Sequence, residues 1–187
     1  MMVVTGGKKA GKESFTDRLT KLEIIGVYSP IGHEMQMPFS MVLSSVLAKQ
    51  RRILYINLMQ NTGFLQLFDS QAEYDIGDLT LRLRRGTTES EQFFQSIYEM
   101  GDFSYVAPFR NPEQLGEFQM DDYRKLLAHL EENTKFDTVV FDFGTGIPSI
   151  AAFLEECSSI YCPVKEGYFY ECQKAEFVHY LEQVKPD

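Results

Sequence analysis

The segment from Leu22 to Asn57 constrains the fold most, because its pattern is that of a strand, a short loop, a helix and a second strand. The mostly apolar run Ile24–Tyr28 is typical of a strand buried on both faces. Pro38 favours the first turn of a helix whose predicted inner face is Phe39, Leu43, Val46 and Leu47. The run Ile53–Ile56 then predicts a second strand. Strands joined in this way run parallel with a right-handed crossover.

Similar units follow along the chain. Phe103–Pro108, Phe136–Phe143 and Ser158–Val164 are predicted strands. Predicted helices pack through Tyr123, Leu126, Leu127 and Leu130, with Asp121 or Asp122 as cap, and through Phe177, Tyr180, Leu181 and Val184. A capping box at Thr88–Glu91 predicts a helix that turns Phe94, Ile97 and Tyr98 inward. The sequence therefore predicts an α/β fold, a doubly wound and mainly parallel sheet with helices on both faces in three layers.

Composition limits the domain organisation and the class of partner. The 187 residues suffice for one domain, and 44% hydrophobic with 24% charged residues describe an ordinary globule. The net charge of −9 disfavours nucleic acid as a partner. Three cysteines without CxxC spacing and three scattered histidines predict free thiols and no metal site. With neither a signal-peptide pattern nor a transmembrane segment, a cytoplasmic location is expected, peripheral at the inner membrane if partners hold it there.

The first twenty residues are predicted to be a flexible segment or linker, with an extra edge strand at Met2–Val4 as the lesser alternative. Gly6–Lys12 fits the start of a G-x-x-x-x-G-K phosphate loop, but Glu13 stands where serine or threonine is required. Residues 21–187 are expected to form a single domain. Whether that domain is truncated at its C-terminal end is left open.

The layout from Leu22 to Lys185 resembles the MinD/ParA group of deviant Walker A P-loop ATPases, and within it the CpaE/TadZ-like proteins of pilus assembly. The strand-and-helix order and the segment from Phe136 to Gly146, FDTVVFDFGTG, carry the resemblance. The family loop K-G-G-x-G-K-T-T, laid on the chain without a gap, begins at Ile31, and only its first glycine matches. The candidate nucleotide-binding residues of this degenerate loop are Gly32, His33, Glu34, Met35, Gln36, Met37 and Pro38.

The replacements in this loop act against a bound triphosphate. His33 and Met35 stand where the resemblance implies glycines, whose freedom lets backbone N–H groups curl around phosphate. Gln36 replaces the phosphate-contacting lysine, Met37 lacks the magnesium-binding hydroxyl, and Glu34 adds a negative charge. ATP hydrolysis by the ordinary route is therefore not expected.

Two further positions bear on catalysis. Asn57 stands where the resemblance implies a catalytic aspartate, and an amide cannot replace that carboxylate near a metal. Asp142 is the remnant Walker B carboxylate. Asp142 has either a catalytic role or a structural role as the cap of the following helix, and the structural role is favoured. No catalytic residue is assigned.

The resemblance implies three functions that differ in chemistry. The favoured one is a non-catalytic or weakly nucleotide-binding interaction or localisation module with protein partners in pilus or secretion-system assembly and no cofactor. The alternative is an active ATPase with an altered loop, using ATP and magnesium. A DNA-bound partitioning protein is disfavoured by charge. Ile31 replaces the lysine that reaches across a family dimer, and a nucleotide-independent homodimer is left open.

Overall fold

The computed structural model describes residues 2–5, 22–86, 93–133 and 135–184. The strands within them are β1 Met2–Thr5, β2 Glu23–Tyr28, β3 Ile53–Leu58, β4 Ile97–Met100, β5 Phe103–Val106, β6 Thr138–Phe143 and β7 Ser159–Cys162. The helices are α1 Gln36–Ala48, α2 Phe64–Leu67, α3 Ile76–Arg85, α4 Met120–Asn133, α5 Ile150–Glu155 and α6 Tyr168–Val184, with a 3₁₀ turn at Pro112–Glu117.

The strands form one sheet in the order β1-β7-β2-β6-β3-β5-β4. Strands β7, β2, β6, β3 and β5 are parallel, and β1 and β4 pair antiparallel at the two edges. Strand β6 lies between β2 and β3, so Asp142 is in register with Val27 on one side and Asn57 on the other. This arrangement confirms the predicted mainly parallel α/β fold.

The two faces of the sheet are covered unequally. Alternate side chains of β2, β3, β5 and β6 pack with Met37 of α1 and Phe64 of α2 on one face. The opposite face packs against α3, α4, α5 and α6 through residues that include Leu79, Tyr123 and Phe153. Three layers result, as predicted. Among the helices of the described residues, α3, α4, α5 and α6 form one outer layer, and α1 with the short α2 forms the other.

Helix α1 packs against the sheet through an unusual set of side chains. Its buried residues are Gln36, Met37, Ser40 and Ser44. The hydroxyls of Ser40 and Ser44 donate to the carbonyl oxygens of Gln36 and Ser40, at 2.9 and 2.8 Å. The prediction that Val46 faces inward is wrong, since its side chain is 56% exposed. This helix is apolar on several sides, so periodicity alone could not identify the side that meets the sheet.

The segment before β5 also differs from the prediction. Ile97 and Tyr98 belong to β4, which forms a hairpin with β5 through Gly101 in the left-handed region at φ 59°. The predicted helix is therefore wrong for these two residues, because cross-strand pairing with β5 determines their conformation. Phe93 and Phe94 are helical, and the capping box at Thr88–Glu91 lies outside the described residues.

The ends of the domain bring smaller corrections. Met2–Thr5 forms edge strand β1, so the linker prediction does not hold for these four residues, and Gly6–Lys12 lies outside the described part. Helix α4 begins at Met120, ahead of both predicted caps, yet the Asp122 carboxylate accepts the Gln119 N–H at 2.9 Å. Tyr180 of α6, predicted to pack inward, is 39% exposed.

Candidate functional site

The loop between β2 and α1 is closed by hydrogen bonds among its own groups. The N–H of Gly32 donates to the Ser29 carbonyl at 3.1 Å, and that of His33 donates to the Ser29 hydroxyl at 3.2 Å. The N–H of Met35 donates to Nδ1 of His33 at 3.0 Å, and that of Gln36 to the His33 carbonyl at 2.9 Å. Four backbone donors next to the start of α1 are thus already paired within the loop.

The side chain of Gln36 occupies the space beneath this loop. It is 1% exposed, and its Oε1 accepts the Ser29 N–H at 2.8 Å. Its Nε2 donates to Oδ1 of Asp142 at 2.6 Å and to the Phe143 carbonyl at 2.9 Å. One amide therefore ties the end of β2 to the end of β6.

Asp142 is fully buried at the end of β6, where two donors hold its carboxylate. Nε2 of Gln36 reaches Oδ1, and the hydroxyl of Tyr55 reaches Oδ2 at 2.9 Å. Burial raises the pKa of Asp142 to about 6, although the hydrogen bonds from Gln36 and Tyr55 oppose the rise. Burial, with Asp142 beside it, holds the pKa of Tyr55 well above its usual value, so its hydroxyl remains a donor.

Asn57 lies beside Asp142 on the neighbouring strand and is also fully buried. Its Oδ1 accepts the Met59 N–H at 2.9 Å. Its Nδ2 makes no hydrogen bond of normal geometry among the described residues, although the Asn57 side chain interacts with the Tyr55 hydroxyl and opposes the rise in the pKa of that group. Such an unpaired buried donor is uncommon and costs free energy.

The outer side of the loop carries paired charges. The Glu34 carboxylate, 64% exposed, accepts from Nζ of Lys165 at 2.6 Å, and Nδ1 of His33 lies 3.9 Å from it. The hydrogen bond from Lys165 lowers the pKa of Glu34. The same Nζ lies 5.8 Å from the ring centre of Tyr170. The negative charge that the sequence adds to this loop is thus balanced by a lysine that follows β7.

No family model and no curated protein sequence matches the chain. Among solved structures, the chain is similar to a ParA family ATPase from Chlorobium tepidum, with TM-score 0.71 and 12% identity over 88% of this chain and 69% of that one. The chain has a MinD/ParA-type fold. A chain of the MinC:MinD cell division protein complex from Aquifex aeolicus matches with TM-score 0.64 and 14% identity over 86% of this chain and 64% of that one. A plasmid partition protein from Borrelia burgdorferi bound to AMPPNP matches with TM-score 0.61 and 14% identity over 89% of this chain and 73% of that one.

In this MinD/ParA-type fold, the sequence-derived candidates divide into an inner and an outer group. Gln36 and Asp142 are in direct contact, and Asn57 lies beside them. Met37 and Pro38 belong to the first turn of α1, where Met37 packs into the core. Gly32, Glu34 and Met35 are exposed, and His33 is half-buried with its ring bonded to the loop. Gly32 adopts φ 61°, a conformation that favours glycine.

Asp142 does not cap the helix that follows, so that part of the prediction is wrong. Helix α5 begins after Ser149, and the Asp142 carboxylate points to Gln36 and Tyr55 instead. Tyr55, Ser29 and Lys165 were not predicted as part of the site. Tyr55 precedes Asn57 by two positions on a strand, so both face the same side of the sheet, and this alternation is the signal that could have found it.

The group expected in a MinD/ParA-type fold is ATP with magnesium, and these residues do not fit it. A phosphate-binding loop needs free N–H groups around the anion, and four donors here are paired internally. Magnesium needs free oxygen ligands, and both Asp142 oxygens accept hydrogen bonds. In the described residues, no three histidine, cysteine, aspartate or glutamate side chains come together as a metal site requires. None of the helices described there is both long and apolar enough to cross a membrane.

Proposed function

We propose that this chain is a non-catalytic member of the MinD/ParA structural class that acts as an interaction or localisation module. The observation that carries the proposal is the Gln36 side chain, which fills the space beneath the loop and ties Ser29, Asp142 and Phe143 together. A nucleotide would have to break these buried hydrogen bonds, and each broken bond leaves an unpaired group that costs about 1–3 kcal/mol.

The partners we propose are proteins, in keeping with the CpaE/TadZ-like resemblance of the sequence. That resemblance suggests a role in positioning or assembling a pilus or secretion machine at the inner face of the membrane. One solved structure to which the chain is similar is a complex of two proteins, MinC and MinD of Aquifex aeolicus. This precedent supports protein binding by the fold without naming the partner here.

Calorimetric titration with ATP and magnesium tests the proposal. We expect no binding heat for the wild-type chain up to millimolar nucleotide. Gln36→Lys restores the lysine of the family loop. Nucleotide binding by this variant would show that the Gln36 amide alone blocks the site. Micromolar binding by the wild type would refute the proposal, provided that a second nucleotide added in excess abolishes the binding heat by competition.

The second candidate is an ATPase that works through an altered loop. The position of Asn57 favours this function. Its buried Nδ2 lacks a hydrogen bond of normal geometry beside Asp142, and a bound nucleotide could accept a hydrogen bond from it. Phosphate release separates the two functions. We expect the wild type to match the buffer blank, and a rate above the blank that falls in Asp142→Ala would favour the ATPase.

A further inference from the structure

The outward face of α1 carries a stripe of apolar side chains. Met35, Val42 and Val46 are 55%, 63% and 56% exposed, and Phe39 between them is half-buried against Tyr161. The steps of four, three and four residues place all four side chains on one side of the helix. That side is opposite Ser40 and Ser44, which face the sheet.

This distribution reverses the usual one, in which a surface helix turns apolar residues inward and polar residues outward. The polar hydroxyls of Ser40 and Ser44 are buried and bonded to the helix backbone, while two valines are in solvent. No charged residue occurs from Met35 to Ala48. On the same face of the sheet, Leu67 at the end of α2 and Phe68 directly after it are 66% and 41% exposed. Exposed apolar surface of this kind marks an interaction site.

We propose that this stripe, Met35, Phe39, Val42 and Val46, is a docking surface for α1 of a second copy of the chain, packed antiparallel about a two-fold axis. The inference deepens the interaction role proposed above. The spacing of the stripe reads the same in both directions, so Met35 meets Val46 of the second copy while Phe39 meets Val42 of the second copy. A two-fold interface requires such self-complementarity.

Charge at the two ends of the stripe supports the same pairing. Glu34, which is paired with Lys165 of its own chain, precedes α1, and Lys49 follows it. An antiparallel pair therefore brings each Lys49 close to the Glu34 carboxylate of the other copy as a second cation beside it. Within the described residues, Lys49 has no ion pair of its own. Antiparallel helices also place opposite dipole ends together. Two molecules of net charge −9 repel each other, and an uncharged α1 stripe keeps acidic side chains out of the contact.

A membrane surface suits the stripe less well. Amphipathic helices that lie on membranes combine apolar residues with a lysine- and arginine-rich polar face. Helix α1 has no basic residue between Gln36 and Ala48, and its polar side, Ser40 and Ser44, faces the protein. The acidic net charge further opposes anionic lipid.

Sedimentation velocity over a wide range of protein concentration tests the pairing. We expect the wild type to shift from monomer to dimer with concentration, with and without nucleotide. Val42→Glu and Val46→Glu should each weaken dimerisation by roughly tenfold or more, because a carboxylate would be buried without a partner. Leu81→Glu is the matched control, since Leu81 is an exposed apolar residue on α3 across the sheet and its replacement should leave the dimer unchanged.

Val42 and Val46 are exposed in the single chain, so their glutamate variants should fold, and circular dichroism melts verify this. A wild type that stays monomeric at the highest concentration, or a dimer unaffected by both glutamate variants, would overturn the inference. Vesicle flotation by a monomeric wild type would also overturn it in favour of a membrane. Failure here leaves the nucleotide titration of the proposed function untouched.

Cysteine cross-linking tests the register. Cys157 and Cys162 are buried and Cys172 is exposed, so the background is Cys172→Ser. Met35→Cys and Val46→Cys proteins, mixed and mildly oxidised with copper–phenanthroline, should give mainly the mixed disulfide dimer. Each protein alone should give little product. Dominant self-linking of Met35→Cys would mean a parallel pair and would overturn the antiparallel arrangement.

Discussion

Gln36 shows how one residue changes the chemistry of a loop. An amide both donates and accepts, whereas the lysine of the family loop only donates. Its Oε1 therefore accepts the Ser29 N–H while its Nε2 serves Asp142 and the Phe143 carbonyl. A lysine at this position would leave the Ser29 N–H unpaired. The closed loop thus depends on an amide, and the same choice removes the cation that a triphosphate needs.

Removal of this amide should destabilise the fold. We expect Gln36→Leu to lower the free energy of unfolding by about 2–4 kcal/mol, because it leaves the Ser29 N–H without a partner and the buried Asp142 carboxylate with the Tyr55 hydroxyl but no donor to Oδ1. Urea unfolding followed by circular dichroism measures the change. Gln66→Leu, at an exposed position of α2, is the control and should stay within about 0.5 kcal/mol of wild type. Equal effects of the two variants would contradict this role for Gln36.

The buried carboxylate of Asp142 predicts a pH-dependent effect. Its folded pKa, about 6, lies above the unfolded value of 3.8, so between these pH values the native state binds more protons than the unfolded state. Stability therefore falls as pH rises through 6, and the ionised group costs on the order of 2–3 kcal/mol above that pH. Asp142→Asn removes the charge and keeps an acceptor for Gln36. We expect it to raise stability at pH 8 and to change it little near pH 4.

Urea unfolding of wild type and Asp142→Asn at both pH values checks this sign. Asp102→Asn, in the exposed turn between β4 and β5, is the control and should shift neither curve by more than about 0.5 kcal/mol. A variant that loses as much stability at pH 8 as at pH 4 would show that the effect does not depend on the charge of Asp142, and it would contradict the raised pKa.

At the scale of elements, the start of α3 depends on Asp75. Its Oδ1 accepts the N–H groups of Gly77 and Asp78 at 2.8 and 3.0 Å, and its Oδ2 accepts the Arg110 N–H at 3.0 Å. In return, the Asp78 carboxylate accepts the Asp75 N–H at 3.0 Å, which completes a capping box. One side chain thereby joins a helix start to the loop after β5.

Asp75→Ala should lower the free energy of unfolding by about 1–2 kcal/mol, the usual cost of a lost helix cap, with the Arg110 contact adding to it. Asn111→Ala is the comparison. That side chain caps the 3₁₀ turn through a single exposed bond to the Glu113 N–H, so its loss should cost less. Thermal melts of both variants test the order, and a larger loss for Asn111→Ala would contradict it.

The elements that the sequence predicted are those with a strong local pattern. β2, α1, β3, β5 and β6 have unmistakable apolar runs or helical spacing, so they could be placed without tertiary information. β4 could not, since a four-residue edge strand depends on its partner. The orientation of α1 was missed because the helix is apolar on several sides. The contacts of Asp142 with Gln36 and Tyr55 were missed because they join residues 106 and 87 positions apart in the chain.

At the scale of the whole molecule, the charge distribution matters more than the fold in judging nucleic acid as a partner. Solved structures with this fold include plasmid partition proteins. Here, many basic side chains are paired with carboxylates, among them Arg51 with Glu23, Arg52 with Asp137, Arg84 with Asp122, Arg124 with Glu156, Lys125 with Asp121 and Lys174 with Glu171. Such pairs would have to open before their cations could reach phosphate.

We therefore expect no retardation of duplex DNA by this chain in a gel shift at low salt, with or without ATP. The reason is that non-specific binding comes almost entirely from phosphate neutralised by lysine and arginine, and the net charge of −9 repels the DNA backbone. Low salt makes the test stringent, because screening is then weakest and any basic patch acts most strongly. A strongly basic protein of similar size serves as the positive control. Retardation that weakens steeply as salt rises would reveal a basic surface. DNA binding, as in a partition protein, would then become a candidate function of this chain.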